Sequence, residues 1–213
     1  MTPIFVTGTG TDIGKTIVSA ILVNALEADY WKPVQAGSAG NTDRDFVKKH
    51  TSGIQCFYEA YRLAIAASPH ISARNENVTI DLNKIVDYYH SIAENSPASK
   101  YLVVEGAGGI YTPLNKNEFV IDLVKKLQAK VVLVSKNYLG SINHSMLTAE
   151  ICKANRIDVI GWIFNETYMD YEEEISNWTG YPVIGKIPVL EKITRKTIYH
   201  QSVLIKKRLL ELL

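Results

Sequence analysis

The stretch FVTGTGTDIGKT, Phe5–Thr16, ends in a Gly-Lys-Thr triplet at the start of an apolar helical run. That combination suits the chemistry of nucleotide phosphates. Lys15 supplies a positive charge to the β- and γ-phosphates, and the Thr16 hydroxyl is a hard oxygen ligand for Mg2+. Backbone N–H groups from Thr11 to Thr16, among them those of Asp12, Ile13 and Gly14, aim into a concavity at the helix N-terminus that favours an anion. The usual spacing puts the first glycine at position 9, which is Thr9; Gly8 and Gly10 stand on either side of it. A dinucleotide fingerprint fits less well. Gly8, Gly10 and Gly14 give G-x-G-x-x-x-G, and the second strand ends in Lys32-Pro33 where that fold places an acid.

Further along, four places carry groups suited to the same chemistry. Lys32 closes a short apolar strand on the edge where ligands bind, and suits either a second cation for anions in transfer or a solvated strand-end lysine. Glu105 ends the buried run YLVVEG, where a carboxylate is costly unless it is paired or holds a metal. Gly106, Gly108 and Gly109 follow and let the backbone approach a ligand closely. NTDRDF offers two acids, Asp43 and Asp45; either is equally suited to cap a helix. LGSINHSM opens a helix with Ser141 or Asn143 near its cap, a place for a carboxylate or for capping alone.

Positioning these groups takes alternating strands and helices. Apolar runs at Pro3–Thr7, Asp29–Val34, Tyr101–Gly106, Lys130–Ser135, Asp158–Asn165 and Pro182–Pro188 read as strands. Helical patterns run over Gly14–Ala28, from Asp43 to Gly53, and over 81–94, 120–128, 141–154 and 170–178, with an amphipathic tail IKKRLLELL. The segment Ile54–Asn77 is ambiguous: YRLAIAA suits strand or helix, and Ser68-Pro69-His70 breaks it. The alternation predicts one α/β domain over 1–213, a parallel sheet with helices on both faces and ligands beyond the carboxyl ends of the strands.

Composition narrows the classes. With 23 basic and 22 acidic residues among 213, nothing draws the chain as a whole to nucleic acid or to an anionic membrane. No apolar run approaches a membrane span, and no basic flank precedes an apolar leader, so a cytoplasmic location is expected. The two cysteines lie far apart and the five histidines are scattered, which predicts reduced thiols and no zinc centre.

VTGTGTDIGKT resembles the phosphate loop of the dethiobiotin synthetases, whose leading glycine also stands one residue further from GKT. The resemblance continues in order through KPVQAGS, SPHISA, VEGAGGIYTPL, LGSINHSMLTAE, GWIFN and GKIP, which span most of the chain. It implies a P-loop NTPase-type fold and a cyclo-ligase that uses ATP and Mg2+ to close 7,8-diaminononanoate and CO2 into dethiobiotin, through a carbamate and a carbamic–phosphoric anhydride. It also implies roles. Lys32, Lys15 and Thr11 serve catalysis. Residues Asp12 to Ile17, with Glu105, Gly108 and Asn165, hold the nucleotide. Thr11, Lys32, Ser38, Gly108, Gly140 and Asn143 hold the substrate, the last two across a homodimer interface. Thr16 and Glu105 ligate Mg2+ together with one acid of NTDRDF, for which the family pattern favours Asp45 over Asp43. After GKIP the sequence VLEKITRKTIYHQ does not follow the family's adenine-side loop, which leaves the choice of base open. Two other readings are a switch ATPase of the partitioning or septum-site type and a related amide-forming P-loop synthetase. The switch ATPases carry a lysine near position 10, where this chain has Gly10.

Overall fold

The structure, a computed structural model, describes residues 1–38, 40–96, 99–166 and 168–213. In chain order the elements that build the body are β1 (Thr2–Gly8), α1 (Lys15–Leu26), β2 (Asp29–Trp31), β3 (Val34–Ala36), α2 (Asp43–His50), β4 (Tyr61–Leu63), α3 (Pro69–Asn75) and α4 (Leu82–Asn95). They continue with β5 (Tyr101–Glu105), α5 (Val120–Lys126), β6 (Lys130–Lys136), α6 (Ser141–Ala154), β7 (Val159–Asn165), α7 (Glu172–Thr179), β8 (Val183–Ile187) and α8 (Arg195–Leu212). Six strands form one parallel sheet in the order β2-β5-β1-β6-β7-β8. The predicted fold class therefore holds.

Strand alternation divides the core in two. Phe5, Val104, Val131, Leu133 and Trp162 face one side of the sheet, where residues of α4, α5, α6 and α7 cover them. Ile4, Val6, Val103, Val132 and Ile163 face the other, beneath α1 and α8. Burial on both faces explains why the strands read as unbroken apolar runs.

Three expectations change. The strand expected over Asp29–Val34 divides at Lys32-Pro33. Pro33 has no N–H to give to a ladder, and β3 leaves the main sheet to pair in parallel with β4 as a separate two-stranded sheet. That departure frees the Lys32 side chain at the ligand edge. In the ambiguous segment, Tyr61–Leu63 is strand, and Ser68-Pro69 starts α3 rather than breaking a helix. Proline in a first turn loses no hydrogen bond, because first-turn N–H groups have no partner inside the helix. The C-terminal helix is also longer than the tail IKKRLLELL. Thr194 caps it by accepting from the Thr197 N–H, and it covers α1 through Ile198, Ile205 and Leu209.

Candidate active site

The carboxyl ends of β1, β2 and β5 open into a cleft of about 1020 Å³. The phosphate loop forms one wall. Its chain leaves β1 at Gly8 and reaches Gly14, which has φ 91° and so sits in the left-handed region before α1 begins at Lys15. A Cβ at Gly14 would stand 2.1 Å from Asn165 Nδ2, so both the backbone angle and the space require glycine here. Asn165, at the end of β7, donates from Nδ2 to the Ile13 carbonyl at 3.1 Å. It lines the cleft, and its amide braces the loop that α1 grows from. Thr11, Asp12, Gly14, Lys15, Thr16 and Ile17 all reach the cleft, whereas the Ile13 side chain is buried in the core. Gly108 lines the opposite wall at φ 72°, and the neighbouring Gly109 N–H donates to Thr112 Oγ1 at 2.8 Å.

Lys15 Nζ donates to the loop's own Gly10 carbonyl at 2.5 Å. Burial lowers the pKa of its ammonium to about 8, against the partial opposition of the Glu105 charge. An anion in the loop would replace the lost hydration and restore the charged form.

Below the loop, Thr16 Oγ1 lies 2.9 Å from Asp43 Oδ1 and 2.9 Å from Glu105 Oε1. A hydroxyl has one proton, so it can donate to only one of these carboxylates. Lys32 Nζ donates to Asp43 Oδ2 and, at 3.1 Å, to Glu105 Oε1. Glu105 is 1% exposed and Lys32 6%, a depth at which neither charge is tolerable alone. Burial pulls the Lys32 pKa down, but the Glu105 and Asp43 charges outweigh it and the net direction is up. Burial likewise pushes Asp43 up, and the Lys32 charge reverses it, so its carboxyl stays below the ordinary value.

Asp45 does not join this group, contrary to the family pattern. It is the third residue of α2, and its carboxylate accepts from the N–H and the hydroxyl of Thr42 while the Thr42 hydroxyl accepts from the Asp45 N–H. That reciprocal cap commits Asp45 to the helix end. Asp43, two residues earlier, points into the cleft.

Three more expected site residues lie outside the cleft. Ser38 follows β3 and bonds through its N–H to the Leu63 carbonyl at 3.1 Å. Gly140 and Asn143 are exposed at the start of α6. A smaller hollow of about 310 Å³ lies between the phosphate loop and Leu147 of that helix.

Tyr30 was not singled out from the sequence. It is fully buried in β2, and its Oη donates to Glu105 Oε2 at 2.9 Å. Two-residue alternation puts Tyr30 and Lys32 on one side of the chain and Trp31 on the other, a signal that pointed from Lys32 back to it. Gln35 was also missed; its Oε1 accepts from the Asp43 N–H at 3.3 Å and helps aim α2 at the cleft.

The oxygen set can be tested against a divalent cation. Asp43, Glu105 and Thr16 offer only oxygens, and among the described residues no group of three or more His, Cys, Asp or Glu gathers anywhere. Mg2+ fits such a site, because it takes one or two carboxylates and completes its shell with phosphate oxygens and water.

A family model described as an AAA domain matches residues 2–197. The ATP-dependent dethiobiotin synthetase BioD of Cytophaga hutchinsonii is 44% identical over 198 residues, covering 91% of this chain and 92% of that protein. That of Christiangramia forsetii is 38% identical and covers 98% of both chains. Among solved structures, the MinC:MinD cell division complex of Aquifex aeolicus aligns with a TM-score of 0.62 at 15% identity, over 100% of this chain and 95% of that one. A ParA family ATPase from Chlorobium tepidum aligns at 0.58 and 16% identity, over 99% and 96%. At that identity the structural likeness shows the phosphate-loop α/β fold alone. The sequence likeness, nearly full length and well above 30%, shows the family: the chain belongs to the ATP-dependent dethiobiotin synthetases, ligases of biotin biosynthesis.

Proposed function

We propose that the chain closes 7,8-diaminononanoate and CO2 into dethiobiotin at the expense of ATP, with ADP and phosphate as the other products. The observation that carries this reading is the convergence of Lys15, Lys32, Thr16, Asp43 and Glu105 on one cleft beside the phosphate loop. One amine of the substrate takes up CO2 and loses a proton, giving a carbamate. A carbamate oxygen attacks the γ-phosphorus as ADP leaves, and the second amine then attacks the carbonyl carbon and expels phosphate. Each attacking group is an anion or a crowded amine near a polyanion, so the main demand on the protein is positive charge in fixed places.

Lys15 serves the transferring phosphoryl group from the loop. Lys32 serves the carbamate from the far side, and Thr11 at the cleft rim helps to hold the substrate. Free N–H groups of the first turn of α1 bind phosphate oxygens. Thr16, Asp43 and Glu105 would hold Mg2+, which when bound offsets charge on the phosphates; Asp43 takes the place that the family pattern gave to Asp45.

Gly140 and Asn143 bear on assembly. They sit on an exposed rim with Leu139, which is 89% exposed, Leu147, which is 60% exposed, and Tyr111, which is 53% exposed. In the proposed homodimer a second copy covers this apolar rim and presents its Asn143 to the substrate carboxylate. Ser38, outside the cleft, would reach substrate only with movement of the segment after β3.

The test is phosphate release from protein, Mg·ATP and bicarbonate, with and without 7,8-diaminononanoate. Release that depends on the diamine is expected. Release indifferent to it would replace the synthetase reading with that of a switch ATPase, and GTP and CTP in place of ATP would measure the choice of base.

A further inference from the structure

Glu105 divides its two oxygens. Oε1 faces Thr16 Oγ1 at 2.9 Å and Lys32 Nζ at 3.1 Å, on the cleft side. Oε2 turns into the core and accepts from Tyr30 Oη at 2.9 Å. Tyr30 has little freedom to release it. Its backbone pairs with β5 on one side, and on the other its N–H bonds to the Gln55 carbonyl and its carbonyl accepts from the Phe57 N–H, both at 2.9 Å. The ring is fully buried in the apolar layer beneath α1.

We infer that Tyr30 is a positioning residue that makes Glu105 a one-oxygen ligand and thereby selects a small octahedral cation such as Mg2+ or Mn2+ over Ca2+. Mg2+ demands near-octahedral single-point ligands, whereas Ca2+ accepts more oxygens and gains from carboxylates that bind through both. For Glu105 to turn both oxygens toward one cation its carboxylate must rotate, which strains or breaks the bond from the fully buried Tyr30. A charge-assisted bond in such a place is strong. The inference rests on reading Thr16, Asp43 and Glu105 as a divalent-cation site.

The experiment compares wild type with Tyr30→Phe, which keeps the ring and removes the donor. Mn2+ bound to the protein with ADP is followed by electron paramagnetic resonance while Mg2+ or Ca2+ displaces it. The variant should shift the ratio of Ca2+ to Mg2+ affinity toward Ca2+ by about tenfold. If wild type holds no Mn2+ beyond that bound by free ADP, the cation-site reading itself falls. If wild type holds Mn2+ and the ratio is unchanged in the variant, Tyr30 is structural only and the inference alone falls, whatever the variant's melting temperature. Infrared difference spectra of wild type labelled with [13C]glutamate test the one-oxygen mode directly. Carboxylate splitting of the one-oxygen type on adding Mg2+ supports the inference, and the two-oxygen pattern overturns it.

Discussion

Lys32, just past the end of β2, reaches the carboxylate at the end of β5: its Nζ lies 3.1 Å from Glu105 Oε1, and both side chains are almost wholly buried. The same ammonium also pairs with Asp43 from α2. One lysine therefore bridges both carboxylates of the candidate cation site. Its position depends on the break at Pro33, which turns β3 away and leaves Lys32 alone at the sheet edge.

Replacing Lys32 by Met should separate chemistry from binding. Turnover is expected to fall by about 10²–10³-fold, the usual loss when one preorganised charge is removed from a transition state. ADP affinity should stay close to that of wild type, since Lys15 and the loop N–H groups remain. Removal also leaves two carboxylates without their cation, which costs on the order of 3 kcal/mol for a buried pair. Added Mg2+ should restore most of the lost melting temperature. Steady-state kinetics, ADP titration and thermal unfolding with and without Mg2+ measure the three effects. Wild-type turnover in the variant would remove Lys32 from the mechanism.

Asp43 and Asp45 should behave differently although they are two residues apart. Asp43→Asn removes a carboxylate that faces Thr16 and Lys32, and should raise the Mg2+ concentration needed for activity. Asp45→Asn weakens the cap on α2 and a 3.7 Å ion pair with Arg44, and should cost about 1 kcal/mol of stability with the Mg2+ requirement intact. A Mg2+ titration of both variants distinguishes them. The reverse pattern would return the ligand role to Asp45.

How much of this the sequence disclosed depends on distance along the chain. The phosphate loop, the strand ending at Glu105 and the helix from Ser141 to Ala154 were legible because spacing and periodicity are local. The fork at Pro33 was not, because which strand β3 pairs with is settled by Tyr61–Leu63, far downstream. Asp43 against Asp45 was a matter of one helix turn: both can cap, and only the orientation of α2 decides which points inward. The bond from Tyr30 to Glu105 spans 75 residues, and no spacing rule reaches that far. Strand alternation gave only the weaker clue that Tyr30 shares a side with Lys32.

Gly14→Ala tests the loop's geometry. The added Cβ would meet Asn165 Nδ2 at 2.1 Å with φ at 91°, so either the amide leaves the Ile13 carbonyl or the loop shifts. Both outcomes misplace the N–H groups proposed to bind phosphate. ADP affinity should fall by about tenfold or more, with a loss of about 1–2 kcal/mol in stability from the strained angle. Isothermal titration and urea unfolding provide the two numbers. Unchanged affinity would mean that the Gly14–Asn165 contact does not shape the loop.

The buried lysine of the loop predicts how nucleotide binding responds to pH. Lys15 has its pKa lowered from 10.5 to about 8, chiefly by burial. Between these two values the folded protein holds Lys15 neutral while the unfolded chain keeps it charged. The unfolded state then binds more protons, so this group makes stability rise with pH across that window. Lys32 and Asp43 act at the extremes with opposite sense. The raised Lys32 pKa gives stability that is present below 10.5 and lost as pH climbs through the higher folded value. The lowered Asp43 pKa gives stability present above 3.8 and lost as pH falls through the lower folded value. Nucleotide phosphate beside Lys15 favours its charged form, so binding at pH 9 must draw a proton from the buffer. Isothermal titration with ADP in two buffers of different ionisation enthalpy should show uptake of about one proton at pH 9 and little at pH 7. Equal heats in the two buffers at pH 9 would show that Lys15 is already charged before the nucleotide arrives.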